Sequence, residues 1–277
     1  MLGALIIVFR EAIEAGLIVG IVLAVTRGVA GSRGFVAAGV TIGVVGAIIV
    51  AAFAEKLSHA FAGSGQELFN AAILALAVVM LVWHNIWMAQ HGRELAKNLS
   101  DVGRAVAEGD RTLLALTGVV GLAVLREGAE VALFLYGILA SGESGWDIFA
   151  GGLAGLALGA ATSFATYYGL VAIPSRHLFT VTTWLITLLA AGLAAQCVGF
   201  LQQAGLVTAL SDTAWDTSWL LSDKSIFGRV LHTLVGYADQ PSAMQVAVYV
   251  ATLAAIVAAT KFFAARPPAP AVRAPAE

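Results

Sequence analysis

Apolar residues along this chain fall in long unbroken runs, not in alternating strands or in one amphipathic stripe. A bilayer core takes about 20 apolar residues in helical form, and runs of that order lie at about 2–26, 34–54, 69–90, 113–140, 146–172, 179–204 and 242–264. The pattern predicts an all-α integral membrane protein with seven transmembrane helices. A β-barrel would instead show short alternating strands. The first run has neither the basic start nor the small-residue cleavage site of a signal peptide. Arg10, Glu11 and Glu14 also interrupt it, so it reads as a retained helix.

Charge sets the orientation. Seven spans place segments 27–33, 91–112 and 173–178 and the C-terminal tail on one side, with Arg27, Arg33, Arg93, Lys97, Arg104, Arg111, Arg176, Lys261, Arg266 and Arg273. The opposite side holds Lys56, Lys224 and Arg229. Basic residues concentrate on the cytoplasmic face, so the N-terminus is expected outside and the C-terminus inside. Residues 266–277 carry four of the six prolines and read as a disordered cytoplasmic tail after one transmembrane domain spanning 1–265. In the outer segment 205–241, Trp215 and Trp219 read as interfacial anchors.

Composition narrows the classes further. The chain is 60% hydrophobic and 12% charged with a formal net charge of −2, which leaves no basic surface for nucleic acid. A lone Cys197 excludes an internal disulfide and paired-cysteine metal motifs, so a bound metal would take oxygen or imidazole ligands. No phosphate loop, dinucleotide fingerprint or nucleophile with its base is found, which speaks against an enzyme and an ATP-driven pump.

The chain repeats itself. Arg10-Glu11-Ala12-Ile13-Glu14 in the first span recurs as Arg126-Glu127-Gly128-Ala129-Glu130 in the fourth, and the same offset relates Leu17 to Leu133, Leu23 to Leu139, Ala38-Gly39 to Ala154-Gly155 and Gly43 to Gly159. The third and sixth spans align through Leu68-Phe69 and Leu178-Phe179 at a shorter offset. These matches imply a 3+3 duplication, with halves at about 1–111 and 112–204, plus an extra helix at 242–264. Units of three helices enter the membrane from opposite sides, so the repeat is expected to be inverted, an arrangement that places transporter sites near the midplane.

Both charged motifs fall at span centres, whereas the other thirteen acidic residues lie outside the spans or at their ends. A charge at the bilayer centre costs about 3 kcal/mol or more, so six of them require a compensating environment. Helical spacing puts Glu11 with Glu14, and Glu127 with Glu130, on one face, with Arg10 and Arg126 one turn from the second glutamate. If the two faces meet, two negative charges stay uncompensated, which calls for a cation. Carboxylate oxygens suit hard cations such as ferric iron, Mg, Ca or Mn and tolerate ferrous iron, and the arginines would moderate repulsion between them. Two other readings stay open: helix-locking ion pairs with no ligand, and a proton relay through the same carboxylates. His84, Met88 and His91, at i, i+4 and i+7, form a candidate ligand stripe near the cytoplasmic end of the third span, although Trp83 and Trp87 beside them fit an interfacial belt. Gln196, Cys197, Gln202 and Gln203 read as interhelical hydrogen-bonding groups. His59, His177 and His232 fall in loops and need no role. The glycines at i, i+4 spacing, Gly39 with Gly43 and Gly151 with Gly155 and Gly159, read as close-packing positions.

The duplicated motif, REAIEAGLIVGI near the start and REGAEVALFLYGIL in the fourth span, resembles the oxidase-dependent iron permease family, bacterial EfeU-type members in particular. SRHLFTVTTWLITLLAAGLAAQ and DTSWLLSDKSIFGRVLHTLVGY extend the resemblance over nearly the whole chain. It implies seven helices in the inner (plasma) membrane, an outside N-terminus and high-affinity iron uptake, with iron as cargo and no resident cofactor. It assigns iron binding to Glu11, Glu14, Glu127 and Glu130, with Arg10 and Arg126 as the motif arginines. It also implies a separate periplasmic or extracellular oxidase, peroxidase or iron-binding partner. Transport of another heavy-metal cation such as lead remains an alternative. Fungal relatives carry further acidic motifs in their outer loops, and here the loop after the fourth span offers only Glu143 and Asp147.

Overall fold

The computed structural model describes residues 1–60, 66–169, 175–223 and 225–264. The proline-rich tail at 266–277 lies outside them. Eight helices occur among the described residues: α1 (Leu2–Val25), α2 (Ser32–Ala60), α3 (Gln66–Ala107), α4 (Leu114–Ala140), α5 (Gly145–Tyr167), α6 (Ser175–Gln203), α7 (Ile226–Val235) and α8 (Ala243–Ala264). Five stretches, Ser32–Phe53, Gln66–Met88, Gly145–Tyr167, Thr180–Gln203 and Ala243–Phe262, are long and apolar enough to cross a membrane. The helices α1 and α4 match them in length, with 24 and 27 residues. They differ in carrying three charged residues each at mid-helix.

Two elements depart from the sequence expectation. The segment 91–112 was expected to be a loop, yet α3 continues to Ala107. Leu99 and Val106, two helical turns apart, are buried, and Val106 packs with Val22, Val36 and Leu116 beneath the bundle. A search for long apolar runs overlooks such a stripe because its other face is charged. The segment 205–241, in turn, contains α7. Ser225 Oγ accepts from Gly228 N at 2.9 Å to cap its start, and Gly236, at φ +72°, ends it in the left-handed region that glycine tolerates.

Two apolar clusters sandwich the charged level. One joins Ala4 and Ile7 of α1 to Phe134 and Ile138 of α4, Leu74 and Leu81 of α3, and Ile186 and Leu193 of α6. The other joins Val22 at the end of α1 to Leu116, Val120 and Val124 at the start of α4. The start of α1 thus meets the end of α4, so the two motif helices run antiparallel. Three of the four groups expected to bond between helices do so: Cys197 Sγ donates to Ala71 O of α3 at 3.1 Å, Gln196 Nε2 lies 2.6 Å from His232 Nε2 of α7, and Gln202 Oε1 accepts from Ser242 Oγ at 2.9 Å, whereas Gln203 is exposed.

The glycines bring α2 against α4 and α5 against α1. A Cβ at Gly39 would stand 2.8 Å from Thr117 O, and one at Gly43 would stand 2.7 Å from Gly121 O; at Gly159 it would stand 2.9 Å from Phe9 O. These contacts are with backbone, which cannot swing aside. Overpacking of this kind costs about 1–3 kcal/mol. Gly43→Ala and Gly159→Ala should each lower the melting temperature and folded yield of the purified protein, whereas Gly34→Ala, which points into open space, should leave both unchanged.

Candidate metal centre

The two motifs meet. Arg10, Glu11 and Glu14 of α1 and Glu127 of α4 are all buried. Arg10 Nε lies 2.9 Å from Glu14 Oε1, and Arg10 NH1 lies 3.8 Å from Glu11 Oε1. In the second motif, Arg126 Nε donates to Glu130 Oε1 at 3.0 Å and lies 3.9 Å from Glu127 Oε1. The pairing within each motif is therefore the same, but the surroundings differ. The Arg10 side chain is 3% exposed and that of Arg126 33%, with the Arg126 guanidinium carbon 4.1 Å from the centre of the Trp87 ring.

Between the motifs stands His84 of α3, itself buried. Its Nδ1 abuts Glu130 Oε2, and its Nε2 lies 3.6 Å from Glu14 Oε2 and 3.8 Å from Glu11 Oε2. Donor atoms of Glu11, His84, Glu127 and Glu130 all lie within 4.8 Å of one another. A small divalent ion with bonds of about 2.1 Å sets opposite ligands about 4.2 Å apart, so the donors need close in only slightly. Among the described residues, neither oxygen of Glu11, nor Oε2 of Glu14, Glu127 or Glu130, nor either nitrogen of His84 has a hydrogen-bond partner. Buried carboxylate oxygens ordinarily have partners, and an incoming cation would satisfy these.

The stripe expected from His84, Met88 and His91 does not form as one surface. His84 turns into the charged cluster. His91 stacks on Trp87 with ring centroids 5.2 Å apart, and its Nδ1 lies 3.2 Å from Trp87 O. Trp87 thereby supports Arg126, while Trp83, 71% exposed, presents the face expected toward lipid. A cavity of about 380 Å³ lined by Met80, Trp83, His84, Trp87, Arg126 and Glu130 reaches the cluster from the side of α3 and α4.

The acids of segments 141–147 and 205–241 are partly committed to local structure. Glu143 Oε2 lies 2.8 Å from the Met1 ammonium. Asp216 accepts from Ser218 Oγ and N and from Gln240 Nε2, which hold its carboxyl below the usual carboxylate range. Asp239 Oδ2 accepts from Asp223 N at 3.2 Å. His232, read as a loop residue, sits on α7 with Nδ1 2.6 Å from Tyr237 O.

Fold and site together describe a polytopic helical membrane protein with ionisable groups gathered at the middle of its helices. Comparison with known proteins gives the family. The sequence profile of the iron permease FTR1 family matches residues 1–266. The protein named ferrous iron permease EfeU of Escherichia coli O157:H7 is 31% identical over 247 residues, covering 88% of this chain and 89% of that one. A protein of the same name from Shigella flexneri is 33% identical over 198 residues, covering 71% and 84%. The K12 strain of Escherichia coli has a relative described as a putative inactive ferrous iron permease EfeU, 31% identical over 249 residues. No solved structure matches. The chain belongs to the iron permease family: it is a multi-pass membrane permease of iron.

Proposed function

We propose that this permease carries ferrous iron into the cytoplasm through one site at the membrane midplane, built from Glu11, Glu14, Glu127 and Glu130 and balanced by Arg10 and Arg126. The observation that carries the reading is the group of buried carboxylate oxygens without hydrogen-bond partners on two antiparallel helices. The names of the relatives favour the ferrous ion. The exchanged packing, α2 on α4 and α5 on α1, with Gly39 and Gly43 answering Gly155 and Gly159, supports an inverted repeat whose halves move about the site in turn. Uptake by proteoliposomes supplied with ferrous or ferric iron, with and without a pH gradient, tests it. Ferrous uptake should exceed ferric uptake and lead uptake, and should fall when the glutamates are neutralised. A proton flux without iron uptake would favour the relay reading instead.

Orientation follows from the basic residues. A reporter fused after Ala265 should be cytoplasmic and a tag beside Asp216 should be accessible from outside; the reverse labelling would contradict the inverted arrangement. Asp147 and Asp212, whose carboxylates pair with no side chain among the described residues, would raise local cation concentration on the outer face. Neutralising both should slow uptake at low ionic strength and have little effect at high salt, where charges are screened.

A further inference from the structure

We propose that His84 is a direct nitrogen ligand of the transported ion, through Nε2, and that it gives the site its preference for transition-metal cations over magnesium and calcium. The inference rests on the carboxylate site proposed above and adds to it a donor from outside both motifs. Three observations lead to it.

First, His84 comes from α3, which belongs to neither motif helix, yet it is buried and faces both motifs at once. Second, its two nitrogens are placed differently. Nδ1 abuts Glu130 Oε2, and the other Glu130 oxygen accepts from Arg126. Glu130 thus stands against the ring at Nδ1 and is anchored by Arg126 through its other oxygen. Neither ring nitrogen has a hydrogen-bond partner among the described residues, and Nε2 faces Glu14 and Glu11 at 3.6 and 3.8 Å. A histidine that ligates metal through one nitrogen ordinarily gives the other N–H to a carboxylate, which fixes the ring and its tautomer. With the Nδ1 proton given to Glu130, Nε2 would be left as a lone-pair donor facing the unpartnered oxygens of Glu11 and Glu14. Third, the side cavity reaches His84, so an ion and its shed water have room beside the ring.

The chemistry gives the ligand a purpose. A site of carboxylates alone is a hard oxygen cage that accepts magnesium and calcium as well as iron. Imidazole nitrogen suits iron, nickel, copper and zinc better than it suits the alkaline-earth ions. One nitrogen among these carboxylates therefore raises affinity for ferrous iron with little gain for calcium. A purely positional His84, acting only as a clamp on Glu130, would leave that preference to the carboxylates.

The test uses the purified full chain in lipid nanodiscs, with Mn²⁺ as a paramagnetic probe, read by pulsed EPR. Bound Mn²⁺ in the unaltered protein should show modulation from one imidazole ¹⁴N, replaced by the ¹⁵N pattern when histidine is ¹⁵N-labelled. The signal should vanish in His84→Gln or His84→Asn and persist in His91→Gln. In competition, the excess affinity for Fe²⁺ over Ca²⁺ should shrink by more than about tenfold in the His84 variants, the scale on which loss of even an outer-shell partner acts. Mn²⁺ held in a Glu11-dependent manner without nitrogen coupling would overturn the role of His84 and leave the carboxylate site standing. An unaltered protein that binds neither Mn²⁺ nor Fe²⁺ would overturn both. The spectrum of the unaltered protein decides between these outcomes even if a His84 variant does not fold.

Discussion

Replacing Glu11 and Glu127 together with glutamine should abolish iron uptake while leaving the protein folded. Both residues are buried, and neither Glu11 oxygen nor Glu127 Oε2 makes a hydrogen bond, so the fold draws little from their charges. Glutamine keeps their shape and removes two of the mutually repelling carboxylates. Stability should therefore hold or rise. Transport should fall by more than about 100-fold, beyond the effect of losing one outer-shell partner, because two charged donors are lost from opposite helices. Each single variant should show an intermediate loss. Uptake rates in proteoliposomes, normalised to folded protein by size-exclusion profile and helicity, give the comparison.

The arginines should behave unequally, and Arg10 should be the more damaging to lose. Sequence alone treats Arg10 and Arg126 as equivalents, since the motifs match residue for residue. In the structure Arg10 is sealed in with Glu14 at 2.9 Å and Glu11 at 3.8 Å, so Arg10→Gln strands buried carboxylates without a counter-charge. Breaking one partner of a buried pair costs about 3–5 kcal/mol, a large share of the stability of a typical domain. Arg126→Gln should cost less, because that side chain is one-third exposed and rests on Trp87 beside a cavity. A combined Arg10→Gln and Glu14→Gln change removes both members of the pair. It should recover folded protein relative to Arg10→Gln alone without recovering uptake. Restored uptake in the pair variant would instead mark the motif as a helix-locking ion pair. The coupling between the two sites follows from a double-mutant cycle on thermal stability.

The helical class and the positions of the apolar spans could be read from the chain because membrane insertion demands long apolar runs, and these leave no ambiguity of period. The motif pairings could be read as well: spacing of three and four residues on a helix fixes which side chains share a face. His84 is visible as an ionisable residue in an apolar helix, but its spacing with Met88 and His91 suggests a stripe down one side of α3. Which face of α3 turns inward is set by packing against α1, α4 and α6, and single-helix periodicity is faint when nearly every neighbour is apolar. The long tail of α3 and the short α7 escape a reading of apolar runs for a related reason. Both are amphipathic elements outside the apolar runs, held by buried positions such as Val106 and by the Ser225 cap instead of by bilayer insertion. Likewise the difference between Arg10 and Arg126 depends on what covers each helix, information that an internal repeat does not carry.

Equilibrium binding of ferrous iron to the purified protein under anaerobic conditions tests the central claim most directly. The account predicts one ferrous ion per chain, displaced poorly by calcium, and no such binding in a folded Glu11→Gln and Glu127→Gln variant. Iron bound by that variant with unchanged stoichiometry and affinity would contradict a site shared between the two motifs.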